Sequence, residues 1–330
     1  MPINHKLRLG LSVIALAVGI PASAADSPTT AKPDPVMHAY PWAPSPGHTQ
    51  IALWPGAAPD PMPVSGPEFW LRDPKKPIAG RPVTAVERVS QPTLTLYRPK
   101  GRNTGAAVVV YPGGGFWILA IDLEGTDVCD WLTVKGVACI LVKYRVPGDD
   151  ERQESRTGPY PHSKVALEDA QRAIALTRFH AKDWGIDPHK IGVAGFSAGG
   201  YLVAATSTLP RIYKAVDAID RTSVRPDFGI ALYPGHLWTD EGKFALDPGV
   251  PVTKDTPPTF IVQNEDDPVD NINNSLVYYL ALRKAGVSAE IHIFPKGGHA
   301  FGLRHDPAKP ASDWPLLAER WLRTIGMIGR

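Results

Sequence analysis

Gly195-Phe196-Ser197-Ala198-Gly199 reads G-x-S-x-G, between a short apolar run, Ile191–Gly195, and a stretch of small residues with helical character. A serine hydroxyl is a poor nucleophile until a neighbouring base takes its proton. Set on a sharp turn from strand to helix, it stands clear of the sheet edge. The helix N-terminus beneath it favours negative charge developing there. The glycines Gly192, Gly195 and Gly199 also resemble a loosely spaced dinucleotide loop. However, the strict G-x-G-x-x-G is missing, no G-K-[ST] follows, and no acid lies about 20 residues on to hold a ribose. The segment is therefore read as carrying a nucleophile, Ser197.

The base should be a histidine on a loop after a later strand. His236, His292, His299 and His305 follow the serine. His292 falls inside an apolar run, where a structural role is expected. His299 sits on the glycine loop of "FPKGGHAFG", just past that run, and is the predicted base. His305 is the second choice. An acid must orient the imidazole and stabilise its charged form. The run Thr259–Gln263 leads into "NEDDPVD", where Glu265, Asp266, Asp267 and Asp270 all qualify and the residues alone leave the choice open. The chain order serine, acid, histidine is that of α/β-hydrolases. An oxyanion needs donors besides the backbone N–H of Ala198, and Gly113 to Gly115, closing "VVVYPGGG", are placed to supply them. There is no H-E-x-x-H, no Cys/His pairing and no Ca²⁺ loop, so no metal and no cofactor are expected.

These residues need a scaffold that brings strand ends together. Apolar runs at Ala106–Tyr111, Ala138–Tyr144, Ile191–Gly195, Phe228–Tyr233, Thr259–Gln263 and Ala289–Phe294 alternate with segments of helical period. An earlier strand is read at Thr93–Tyr97. Gly136 and Gly286 stand where helices should end. Strands apolar on both sides, separated by helices, predict an α/β fold of the α/β-hydrolase kind: a mostly parallel central sheet with helices on both faces. Ligands on such sheets bind beyond the C-terminal ends of the strands. Phe116, Trp117, His236, Trp238 and Phe301 all follow such ends and are the predicted substrate-binding residues. No run of Leu, Ile or Met appears in these loops, so the expected site has an aromatic leaving-group side and a small acyl pocket.

The chain has 330 residues, with 35 Lys and Arg against 33 Asp and Glu. Near-neutrality argues against a nucleic-acid partner. Of 35 prolines, 16 lie between Asp26 and Lys100, which sets that stretch apart. Before it, Lys6 and Arg8 precede the apolar run Leu9–Ile20 and then Ala22-Ser23-Ala24. That is the pattern of a secretory signal, and the run is shorter than the roughly 20 residues a membrane span needs. Residues 1–24 are read as a signal peptide cleaved after Ala24, 25–50 as a solvated Pro-rich leader, and 51–330 as one hydrolase domain. The expected location is periplasmic or extracellular, with no membrane attachment after cleavage. Cys129 lies at the flank of a predicted helix stripe and Cys139 on the next strand. Two buried free thiols are expected rather than a bridge.

Several stretches together resemble one family, the secreted α/β-hydrolase carbohydrate esterases of the acetylxylan-esterase-like group. They are "LWPGAAP", "VVVYPGGGFWILAIDLEGTDVCDWL", "GVACILVKYRVP", "ALEDAQRAIALTR", "IGVAGFSAGGYLVA", "IVQNEDDPVD" and "FPKGGHAFG", covering about Ile51 to Ile325. The resemblance implies Ser197 as nucleophile and His299 as base. Aligned on Pro268 and Val269, it selects Asp267 as the acid, with Asp266 the rival because Gln263-Asn264 replace the family's His-Gly. It implies Gly114, Gly115 and Ala198 as oxyanion donors, with Pro112 where related hydrolases carry His. It places Arg145, Asp169 and Arg172 in a buried ion-pair network. The implied activity is removal of acetyl or similar acyl groups from a small-molecule or oligosaccharide ester. A general carboxylesterase, a serine peptidase and a catalytically silent binding protein are the alternatives.

Overall fold

A computed structural model describes residues 34–149, 163–240 and 242–329. The first part of the chain contributes β1 (Val36–His38), β2 (Gln50–Ala52), β3 (Phe69–Ile78), β4 (Arg81–Glu87) and β5 (Thr93–Tyr97). Next come β6 (Ala107–Tyr111), β7 (Ile118–Ala120), α1 (Asp127–Val134), β8 (Ala138–Lys143) and α2 (Lys164–Phe179). They are followed by β9 (Ile191–Phe196), α3 (Ala198–Thr208), β10 (Gly229–Leu232), β11 (Thr259–Asn264), α4 (Asn273–Lys284), β12 (Ala289–Phe294) and α5 (Trp314–Thr324).

The main sheet has eight strands in the order β12-β11-β10-β9-β6-β8-β5-β2. From β12 to β8 every pairing is parallel; β5 and β2 add antiparallel strands at one edge. Every residue of β6, β8, β9, β10 and β11 is buried. That is why these strands read as continuous apolar runs and not as alternations. The connections β6→β8 and β9→β10 advance in opposite directions, so right-handed crossovers put α1 and α3 on opposite faces. α2 packs on α3, and α5 meets α1 through Trp131 against Trp314, ring centroids 5.4 Å apart. This is the α/β-hydrolase fold, and β8 and β9 flank β6 at the point where the winding reverses.

A second sheet was not legible in the sequence. Its order is β1-β3-β4-β7, all antiparallel. The β3–β4 hairpin turns through Ala79 (φ 46°) and Gly80 (φ 75°), two successive left-handed residues that suit a two-residue hairpin loop. Pro74 and Pro77 fall in the stretch between Asp73 and Ile78 where the pairing register shifts, so they interrupt no ladder. β7 follows the glycine loop directly and pairs with β4, which ties the hairpin to that loop.

Two expectations are corrected. The stretch predicted as a solvated leader is, over its described part, tied to the fold. Val36–His38 pairs with β3. Trp42 is buried, and its backbone N–H donates to Glu68 (2.9 Å), which also takes the buried Lys143 at 2.6 Å. A buried indole and a satisfied buried ion pair hold the segment where its prolines alone suggested solvent. Residues 1–24, read as a signal peptide, lie outside the described residues. Cys129 and Cys139 form a disulfide and are not free, with Cα atoms 5.1 Å apart. α1 turns tightly through Gly136 into β8, and both cysteines are fully buried at the helix–sheet contact, so Cys129 faces the sheet instead of flanking the stripe.

The buried arginines form the expected network. Arg145 pairs with Asp169 (2.8 Å) and Glu168 (3.1 Å); Arg172 pairs with Asp220 (2.8 Å) and Asp217 (2.5 Å). Trp54 joins the two groups. Its Nε1–H donates to Asp169 (2.8 Å), while Arg172 stacks over its ring at 5.3 Å. The extended "LWPG" segment is thereby pinned beside β8 and α2.

Candidate active site

Ser197 is the N-cap of α3, with φ 53° and ψ −117°. For a residue with a Cβ this backbone is strained. The strain is held by close packing on both sides. A Cβ on Gly195 would lie 2.0 Å from the Gly199 carbonyl oxygen, and one on Gly199 would lie 2.1 Å from that of Tyr111. Strand, helix and neighbouring strand thus meet at backbone distance, and the serine is lifted over the end of β9.

His299 reaches the serine from the loop after β12, Nε2 to Oγ 3.0 Å. Its Nδ1 lies 2.7 Å from Asp267 Oδ2, and the Asp267 side chain is fully buried. Asp267 also accepts from Gln263 Nε2 (3.0 Å), Val269 N (2.9 Å) and Asp270 N (3.0 Å), so each of its oxygens has two donors. Gln263, standing where the resemblance expected histidine, therefore holds the acid. Asp266 has another task. Its Oδ1 accepts from the N–H groups of Gly297 (2.9 Å) and Gly298 (2.8 Å) and so clamps the loop that carries His299. Burial opposes a charge on His299, but the bond and charge of Asp267 outweigh it. With Asp270 and Glu124 adding their charges, the pKa stands above the ordinary value. His305 is exposed and lies 3.8 Å from Asp313; His292 pairs with Glu290 (2.8 Å).

Of the three loop glycines, Gly113 is already engaged: its N–H donates to Glu124 Oε2 at 2.7 Å. Gly114 and Gly115 line the cavity beside Ser197. Ala198 is the first residue of α3, where a backbone N–H has no partner within the helix. Glu124 is buried, and its Oε1 accepts from the Tyr233 hydroxyl (2.7 Å), which in turn accepts from Gly302 N (3.1 Å). One carboxyl thus links the glycine loop, the end of β10 and the histidine loop. Sequence reasoning noted it only as part of "LEG". Burial raises its pKa, against the opposing effect of the Tyr233 bond.

Asp270 was one of the four acids among which the residues alone left the choice open, and the resemblance gave it no role. Its side chain is buried, with Oδ2 3.1 Å from Ser197 Oγ and 3.7 Å from His299 Nε2.

The cavity above the serine measures about 670 Å³. Of the five residues predicted to bind substrate, Trp117 and His236 line it; Phe116, Trp238 and Phe301 do not. Phe116, at φ 66°, turns inward, fully buried, with His236 stacked on it at 5.6 Å. Phe301 packs on Tyr233 at 4.5 Å, and Trp238 donates its Nε1–H to Lys243 O (2.8 Å). The apolar wall is aliphatic: Ile78 and Val83 from the hairpin, with Ile118, Ala120 and Leu123. All of it but Leu123 comes from the sheet that prolines hid in the sequence. Among the described residues no group of three or more His, Cys, Asp or Glu is arranged to hold a metal, and no helix is long and apolar enough to cross a membrane.

The profile of the Prolyl oligopeptidase family matches residues 128–312. An acetylxylan esterase of Xylanibacter ruminicola is 32% identical over 222 residues, covering 61% of this chain and 42% of that protein. Endo-1,4-beta-xylanase B of Butyrivibrio fibrisolvens is 27% identical over 233 residues, 65% of this chain and 35% of that protein. The chain thus spans less than half the length of these two relatives. Among solved structures, an acetyl ester-xyloside bifunctional hydrolase from Caldicellulosiruptor lactoaceticus aligns over 85% of this chain and 97% of its own, with TM-score 0.65 and 31% identity.

Proposed function

This chain belongs to the prolyl oligopeptidase family, and from that premise we propose that it is an exported serine esterase that removes acetyl or other short acyl groups, on carbohydrate, through an acyl-enzyme. The observation that carries this is the hydrogen-bonded series Ser197–His299–Asp267 at the floor of an open cavity. In this reading His299 takes the serine proton as Ser197 attacks the ester carbonyl. The oxyanion is met by N–H groups of Ala198 and the Gly114–Gly115 turn. His299, held by Asp267, then returns the proton to the leaving alcohol, and water repeats the sequence to free the acid. The carbohydrate assignment is supported by the names of the similar proteins, the acetylxylan esterase and the acetyl ester-xyloside hydrolase. Export is supported by the N-terminal pattern of residues 1–24 and by a buried disulfide, a bond that persists in oxidising compartments.

One observation favours a second reading. The aliphatic wall of Ile78, Val83, Ile118 and Leu123 would also suit a longer acyl chain, as in a general carboxylesterase. The test is release of acetate from acetylated xylo-oligosaccharides and of p-nitrophenol from its acetate by the wild type and by Ser197→Ala. Release by the wild type and its loss in the variant is the expected result. Equal turnover in both would refute the serine mechanism, and release from the aryl ester alone would leave the second reading.

A further inference from the structure

Asp270 has no place in the three-residue mechanism. Its Oδ2 sits 3.1 Å from Ser197 Oγ, in position to accept the hydroxyl proton that His299 must take. A serine hydroxyl has one proton, so a bond to Asp270 is a bond not made to His299. The carboxylate is also firmly placed. Its backbone N–H donates to Asp267 (3.0 Å) and its carbonyl accepts from Gln263 (3.0 Å). Oδ1 is held close against Gly235, where an added Cβ would lie 2.4 Å away. Among the described residues its one ion-pair partner is His299 at 3.7 Å, and it lines the cavity.

When an ester enters and the serine proton swings to His299, Asp270 Oδ2 loses its donor while still buried. A buried charged acceptor left unpaired is costly. The substrate can remove that cost by bringing a donor of its own. The place of the donor follows from the geometry. The leaving oxygen must approach His299 Nε2 to collect its proton, and Oδ2 lies 3.7 Å from that same nitrogen. A hydroxyl on the carbon next to the one that bears the ester falls there. Resting on the esterase reading, we infer that Asp270 binds the hydroxyl adjacent to the ester, so that the preferred substrates are monoesters of vicinal diols, as in partly acylated sugars.

Burial lifts the Asp270 carboxyl to about 6; the charge of His299 lowers it, that of Asp267 raises it, and the Ser197 bond lowers it. Its role as acceptor is given by the geometry, in which the Ser197 hydroxyl donates to Oδ2. The groups facing it are Ser197 from the elbow, His299 from the loop after β12, Asp267 from its own loop and Gly235 from the turn after β10, and His236 lines the cavity. Lys76 of the hairpin lines the same cavity.

The experiment compares kcat/KM for trans-2-hydroxycyclohexyl acetate and for cyclohexyl acetate, which lacks the hydroxyl, with p-nitrophenyl acetate as a reporter of the chemical step. The wild type should favour the hydroxy ester by about tenfold or more, the worth of a hydrogen bond to a charged acceptor. In Asp270→Ala the ratio should collapse to within about twofold, and in Asp270→Asn, which keeps a neutral partner only, it should fall below the wild-type value. A wild-type ratio near one, or a ratio preserved in either active variant, overturns the assignment of Asp270 while leaving the esterase intact. The wild-type ratio is decisive even if a variant does not fold. If the wild type hydrolyses none of the three esters, the esterase reading itself falls and this assignment with it.

Discussion

Exchanging one carboxylate for an amide at two adjacent positions should produce very different enzymes. Asp267 receives four hydrogen bonds: two backbone N–H groups on Oδ1, and Gln263 Nε2 and His299 Nδ1 on Oδ2. Asparagine offers one oxygen and one NH₂ group. With its oxygen toward the backbone N–H groups, its NH₂ meets His299 Nδ1 and forces the ring to carry its proton on Nε2. That nitrogen can then no longer take the serine proton. The expected fall in kcat for Asp267→Asn is about 10⁴-fold, or about 5 kcal/mol of transition-state stabilisation. Asp266 is exposed, and its two backbone donors share a single oxygen. An asparagine oxygen can still accept both, so Asp266→Asn should cost less than about 1 kcal/mol, under about fivefold. The assay is initial-rate hydrolysis of p-nitrophenyl acetate, with thermal melts to show that both variants are folded. The reasoning predicts a gap of about 10³-fold between them. Comparable losses, or a larger loss at Asp266, would refute it.

The Cys129–Cys139 bridge spans a sequence separation of 10, and closing a loop of that length is worth about 2–3 kcal/mol. Reduction under mild denaturant should lower the melting temperature accordingly, and mass spectrometry of the unreduced protein should find no free thiol. Because His299 must be neutral to act as base and its pKa is raised, kcat/KM should fall as pH drops through a limb above the ordinary histidine value of about 6.5. Asp270→Asn, which removes one of the carboxylates raising that pKa, should move the limb to lower pH; an unmoved limb would contradict the cause given. Across p-nitrophenyl acetate, butyrate and octanoate, rates falling with chain length support the short-acyl reading. A rise would show that the aliphatic wall is the acyl site.

The inner strands β6, β8, β9, β10 and β11 were legible because they are buried on both sides and so read as near-continuous apolar runs. The less buried β5 and β12 also begin and end where the sequence placed them. Ser197 and His299 were legible because glycines mark the turns that must carry them. The hairpin was not, because Pro74, Pro77 and Pro82 argue against a strand unless a register shift is known to accommodate them. Asp270 was hidden among four acids within six positions: which of them turns inward depends on backbone bonds to Asp267 and Gln263 that no spacing reveals. Phe116 followed a strand end, as a binding residue should, but a positive φ turned its ring into the core.

The central claim is that Ser197 carries the acyl group between two half-reactions. Quenching the protein in acid during turnover of an acetyl ester, followed by peptide mass mapping, tests this most directly. The account predicts an acetyl group on the peptide containing Ser197, on Ser197 itself by fragmentation, and on no peptide of Ser197→Ala. An acetyl group carried by another residue, or sustained turnover by Ser197→Ala, would contradict it.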